Sequence, residues 1–151
     1  MSDRIGVMRA GKLVQVGTPQ EIYTAPSNKF VSEFMGDVNI IDVELDAGGQ
    51  LKGKTLNGHF AAPAIPPGFR QGHLVVRPEY LRIVERPGET ENQISGTLYN
   101  EYALGSRIQY QVRVGEQVFT LERLRQQAYE GRLDEAVTIG WDARDSVLVS
   151  E

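Results

Sequence analysis

The sequence predicts a mainly β protein: a barrel or sandwich of short strands, preceded by a β-hairpin and two short helices. Three observations carry this reading. After Gly36, short apolar runs recur at fairly regular spacing, separated by Gly and Pro turns. In the clearest run, Ile108, Tyr110, Val112 and Val114 alternate with Arg107, Gln109, Gln111 and Arg113, the two-residue period of a half-buried strand. No long amphipathic helix interrupts the series.

The opening segment differs in texture. Ile5, Val7 and Met8 lead into the turn Arg9-Ala10-Gly11-Lys12, and Leu13 to Val16 returns, which predicts a hairpin. A helix follows with complete local chemistry: Thr18 as cap, Pro19 at the first helical position and Glu21 completing a capping box. Pro26 ends it. Ser27 is placed to cap a second helix, with Phe30, Val31, Phe34 and Met35 on one side and Gly36 past its end. Two short helices and one hairpin bury too little to stand alone. Phe30, Phe34 and Met35 therefore need a surface, supplied either by the following domain or by protein upstream of Met1.

From Asp37 the strand-like runs begin. Val38 to Leu45, Leu51 to Leu56 and Phe60 to Ala62 come first, with Gly48-Gly49 as a turn and Pro63 to Gly68 as a loop. Leu74-Val75-Val76 then runs into Arg77-Pro78-Glu79, and Leu81 and Ile83 continue beyond. Proline cannot donate to a ladder, so Pro78 marks a corner, an edge or a bulge between two strands. Arg77 and Glu79 flank it, and the expectation is a surface ion pair across the corner, worth about 0–1 kcal/mol. Ile94 to Tyr99, the alternating run and Gln117 to Leu121 come next, with a hairpin at Gly115-Glu116. Leu124 to Tyr129 reads as an irregular crossover or one or two helical turns. Val137, Ile139 and Trp141 alternate, Asp142 to Asp145 turns, and Ser146 to Val149 closes the series. The count after Gly36 is about seven to nine strands.

Composition narrows the function classes. The 151 residues are long enough for one domain with an appended segment, and 40% hydrophobic content suits a folded chain. No apolar run reaches the roughly 18–20 residues of a membrane-spanning helix. A net charge of −4 gives no support to nucleic-acid binding. The absence of cysteine removes disulfides, thiolate chemistry and cysteine-ligated metals.

Catalytic patterns are missing as well. The chain holds no G-x-x-x-x-G-K-[ST] stretch to cradle phosphates and no G-x-S-x-G elbow. His59 and His73 read as exposed loop histidines rather than metal ligands, and Glu89/Glu91 and Asp134/Glu135 as solvated carboxylates in polar loops. Trp141 and Tyr110 fit core positions of strands.

Taken in order, several stretches resemble the C-terminal half of the ATP-binding subunit of a bacterial ABC importer. Ser2 to Met8 and Gly11 to Tyr23 are similar to the end of its nucleotide-binding domain, and Pro26 with Phe30 to Gly36 to its linker helix. Val76-Arg77-Pro78-Glu79 resembles the signature of the accessory TOBE (transport-associated OB) module. Leu104 to Tyr110 and Ile139-Gly140-Trp141-Asp142 are similar to later landmarks of that module.

The resemblance implies an OB-like TOBE barrel over residues 37–151, following a remnant of the nucleotide-binding domain and linker over 1–36. The Walker motifs, signature loop and switch histidine of the family lie upstream of Met1, so this stretch is expected neither to bind nor to hydrolyse ATP and to need no cofactor. ATP and magnesium are implied for the full-length parent alone. The implied role is regulation and dimerisation in a polyamine or ferric-iron importer, at the cytoplasmic face of the bacterial membrane. The implied partners are a second copy of the ATPase subunit, permease subunits, and a small-molecule regulator; nucleic acid is not among them. Arg77, Glu79, Gly105, Ser106 and Arg107 are the candidate partner or ligand surface. The alternative from another class is a free-standing small-ligand or oxyanion-binding β-barrel protein.

Overall fold

The computed structural model describes residues 4–34, 37–86, 88–129 and 131–150. Ser2, Asp3, Met35, Gly36 and the Phe34 side chain, which the sequence reading assigns to the first segment, lie outside the described residues. The hairpin is formed by β1 (Ile5–Arg9) and β2 (Lys12–Gly17), and the helices are α1 (Pro19–Thr24) and α2 (Lys29–Phe34). The expected capping box is present in full: Thr18 Oγ1 accepts from the Glu21 amide at 3.1 Å, and Glu21 Oε1 accepts from the Thr18 amide at 2.7 Å. The second cap is a correction. Asn28, not Ser27, holds α2, its Oδ1 accepting from the Val31 amide at 3.0 Å. Ser27 lies one residue too early, and its amide donates instead to Gln15 Oε1 at 2.8 Å.

One face of this segment builds a small core of its own. Val7, Ile22 and Val31 are buried together, with Ile5, Val14 and Phe30 against them. The Arg9 guanidinium lies 5.0 Å from the centre of the Phe30 ring. Phe30 thus finds part of its cover within the segment.

Ten strands follow among the described residues, more than the seven to nine counted from sequence. One antiparallel sheet has the order β12-β6-β3-β4-β5, built from β3 (Asn39–Leu45), β4 (Leu51–Gly53), β5 (His59–Phe60), β6 (Gln71–Val76) and β12 (Ser146–Val149). The other has the order β10-β9-β8-β11-β7, from β7 (Arg82–Val84), β8 (Asn92–Leu104), β9 (Arg107–Val114), β10 (Gln117–Leu124) and β11 (Glu135–Trp141). The chain changes sheet at two 3-10 turns. Pro78–Tyr80 carries β6 into β7, and Ala143–Asp145 carries β11 into β12. Pro78 is therefore a corner, where its missing N–H costs no ladder bond. Leu124 to Tyr129 contains a single 3-10 turn, Arg125–Gln127.

Two buried asparagines staple one sheet to the other. Asn39, at the start of β3, donates to the Thr120 carbonyl and accepts from the Thr120 amide, both at 2.8 Å. Asn92, at the start of β8, does the same to Ala61, at 2.9 and 2.7 Å. Each amide side chain mimics one rung of a strand ladder where backbones do not pair, and so satisfies edge groups that burial would otherwise orphan. The curled sheets enclose a single core. Ile41, Leu74, Leu98, Tyr110, Phe119, Leu121 and Ile139 are buried in it, with Trp141 stacked on Phe60 at 5.9 Å.

Candidate functional site

The helical segment meets the barrel at Arg77. Strand β6 is buried from Gly72 to Val76, and the chain leaves it in extended conformation at Arg77 before the proline turn. That geometry sends the Arg77 side chain under the two helices, where it is only 5% exposed. Its Nη1 donates to the Ser32 carbonyl at 3.0 Å and the Asp37 carbonyl at 3.4 Å, and its Nη2 to the Tyr23 carbonyl at 3.4 Å. Its guanidinium carbon stands 4.2 Å from the Tyr23 ring centre, a cation–π contact. One side chain from the barrel thereby binds α1, α2 and the residues just after α2.

The expected ion pair across the corner is not formed. Tyr23 Oη donates to Glu79 Oε2 instead, so the tyrosine stands between the two charges. The reason is steric and electrostatic together: a buried guanidinium binds the nearby carbonyls, and the half-buried Glu79 carboxylate accepts the phenol that reaches it. Burial, and then the Glu79 hydrogen bond, push the Tyr23 phenol well above its ordinary range. Burial pulls the Arg77 guanidinium below its ordinary value, and the neighbouring Tyr23 oxygen and Glu79 carboxylate oppose that shift. The strand-like bridge of Asn28 to Ser150 adds a second tie between the segment and the barrel.

Gly105, Ser106 and Arg107 sit elsewhere, at the exposed tip of the β8–β9 hairpin. Gly105 has φ of +70°, at the first position of a two-residue turn where glycine is favoured. Arg125 holds the turn from beside it: its Nε donates to the Gly105 carbonyl at 3.2 Å and its amide to the Ser106 carbonyl at 2.9 Å. Arg107 Nη1 pairs with Glu122 Oε2 at 3.1 Å on the exposed face. No hydrogen bond or ion pair among the described residues joins this turn to the Arg77 clamp. The five sequence-predicted residues therefore form two groups, one buried and one exposed.

Other sequence expectations need correction. His73 is not an exposed loop residue: it lies within β6, 6% exposed, with Nδ1 2.7 Å from Asp42 Oδ1. His59 is exposed but belongs to β5, with Nε2 2.8 Å from Asp46 Oδ2. Glu89, Glu91, Asp134 and Glu135 are exposed, as expected, but Glu135 opens β11 rather than lying in a loop, and two of the four also hold local structure. Glu91 Oε1 takes the Ala143 amide at 3.0 Å, and Glu135 takes the Arg132 amide at 3.0 Å and the Tyr129 hydroxyl at 2.9 Å. No group of three potential metal ligands exists among the described residues, and no helix there is long and apolar enough to cross a membrane. Sequence reasoning missed Tyr23, Ser32, Asn39 and Asn92. Their partners lie tens of residues away, and no local pattern marks such a pair.

The architecture is a mainly β module: two curled antiparallel sheets around one core, with a helical segment clamped to the outside. The TOBE domain model matches residues 74–149, and the chain belongs to that family. The spermidine/putrescine import ATP-binding protein PotA of Rubrobacter xylanophilus is 34% identical over 158 aligned residues, which cover 99% of this chain and 41% of that protein. The protein of the same name from Trichodesmium erythraeum is 32% identical, over 100% and 43%. The sulfate/thiosulfate import ATP-binding protein CysA 2 of Shewanella oneidensis is 32% identical, over 81% and 34%. The chain thus spans about two fifths of the length of the first two relatives. Among solved structures, the cytoplasmic molybdate-binding protein ModG matches with a TM-score of 0.53 at 10% identity, over 75% of this chain and 96% of that one. At that identity the likeness speaks for the fold alone.

Proposed function

We propose that the chain is the C-terminal accessory part of the ATP-binding subunit of an ABC importer. In this reading residues 37–151 form a regulatory and dimerisation module, and residues 1–36 are the end of the nucleotide-binding domain and its linker. The carrying observation is the Arg77 clamp, which fastens the helical segment to the barrel through three carbonyls and a tyrosine ring. A joint that stiff passes displacement of the helices directly to the barrel. ATP hydrolysis belongs to the parent subunit, upstream of the stretch described, and the module itself does no chemistry. Its partners are a second ATPase subunit and, through the parent, permease subunits at the cytoplasmic membrane face. The exposed turn Gly105-Ser106-Arg107 is the outward contact surface. Polyamine is the favoured cargo over ferric iron, because the first two relatives above carry polyamine names.

A free-standing oxyanion-binding barrel is the competing reading, supported by the ModG fold. The relatives' similarity runs through 99% of this chain, the helical segment included, and this favours the importer. The test is Arg77→Met in the full-length importer subunit, with ATPase rate and substrate uptake measured together in membranes. Severalfold loss of uptake per ATP is expected, and Arg107→Ala lowers uptake without loosening the joint. Uptake and coupling at wild-type levels in both variants would overturn the assignment.

A further inference from the structure

A cleft of about 140 Å³ opens beside the clamp, between the end of α1 and the outer face of β6 and β12. By liquid volume this is room for about four or five waters, or for a molecule the size of a small carboxylic acid. Its walls include Tyr23, Arg77, Tyr80, Arg144 and Asp145. The lining itself carries two guanidinium groups against one carboxylate, with the Glu79 carboxylate behind Tyr23 and taken up by its hydroxyl, whereas the whole chain carries −4. The three acceptors of the buried Arg77 are neutral carbonyls, and no carboxylate forms an ion pair with it among the described residues. Its Nε has no hydrogen-bond acceptor among them either. Arg144 is exposed at the rim and makes no ion pair or hydrogen bond through its side chain with any described residue.

We propose that this cleft binds a small carboxylate, with Arg144 as the entry contact and the free edge of Arg77 as the inner one. A planar carboxylate matches the fork of a guanidinium, and the flanking Tyr23 and Tyr80 rings supply apolar walls for a short carbon chain. The site lies between α1 and the barrel, so an occupant touches both. That it would stiffen the joint rests on the reading of the clamp given above; binding itself does not. The occupant is anionic because a diamine brought here would face two guanidinium groups.

The experiment is titration of the chain with succinate and acetate, against putrescine and matched sodium chloride, followed by thermal unfolding and calorimetry. Saturating succinate is expected to raise Tm by about 2–4 °C while putrescine and sodium chloride do not. Arg144→Ala, an exposed change that spares the core, weakens succinate binding at least tenfold, and Lys52→Ala, exposed on β4, leaves it unchanged. No response to either carboxylate, an equal response to putrescine, or undiminished binding by Arg144→Ala would each overturn the proposal. Binding in the isolated chain without any effect on coupling in the full-length subunit would keep the site and discard its link to the joint.

Discussion

Tyr23 works in three ways at once: its carbonyl accepts from Arg77, its ring lies under the guanidinium, and its hydroxyl donates to Glu79. The consequence is visible in pH dependence. Tyr23, Tyr110 and Tyr129 all titrate above the ordinary phenol value of 10.0 in the folded chain. Above pH 10 the unfolded state therefore binds fewer protons than the folded one, and stability falls as pH rises. Tyr23→Phe should flatten that alkaline limb and cost about 1 kcal/mol at neutral pH, the size of one lost hydrogen bond. Urea melts from pH 7 to 11 check this; an alkaline limb as steep as wild type would refute it. At the acid end the sign reverses. Glu21, Asp46 and Glu135 are held below their ordinary values, chiefly by backbone amides, so the stability they contribute is present above about pH 4.5 and lost on further acidification.

The short elements obey local chemistry closely enough for single substitutions to discriminate. Asn28→Ala should cost about 1 kcal/mol through loss of the α2 cap, whereas Ser27→Ala should stay within about 0.5 kcal/mol. Equal effects in equilibrium unfolding would return the cap to Ser27. The β1–β2 turn holds Ala10 at a φ of +52°, a region that an alanine pays to enter and an asparagine tolerates. Ala10→Asn should therefore raise stability by about 0.5–1 kcal/mol, read as a higher urea midpoint at unchanged slope. A lower midpoint would show that the turn is held by something other than its backbone.

The molecule as a whole depends on close approach between strands and the turns over them. A Cβ at Gly140 would stand 2.2 Å from Thr90 Oγ1 and 2.7 Å from the Asn92 carbonyl, whose side chain staples the sheets together. Gly140→Ala should push that region outward and cost about 1–3 kcal/mol, as overpacking does. Thermal unfolding measures it, and a wild-type Tm would mean that the loop carrying Thr90 moves aside freely.

Much of this fold was legible in the chain. The capping box at Thr18 and Glu21, the alternation from Ile108 to Val114 and the corner at Pro78 each follow from backbone chemistry or periodicity within a few residues. Those signals are local, so sequence order alone carries them. The clamp was half legible: Arg77 stood out by its place beside the proline, but its partners did not. Which acceptor a buried guanidinium finds, whether His73 lies inside or outside, and which amides close the barrel are questions of proximity between residues 31 to 81 positions apart. Folding alone brings those residues together and excludes the water that would otherwise satisfy them.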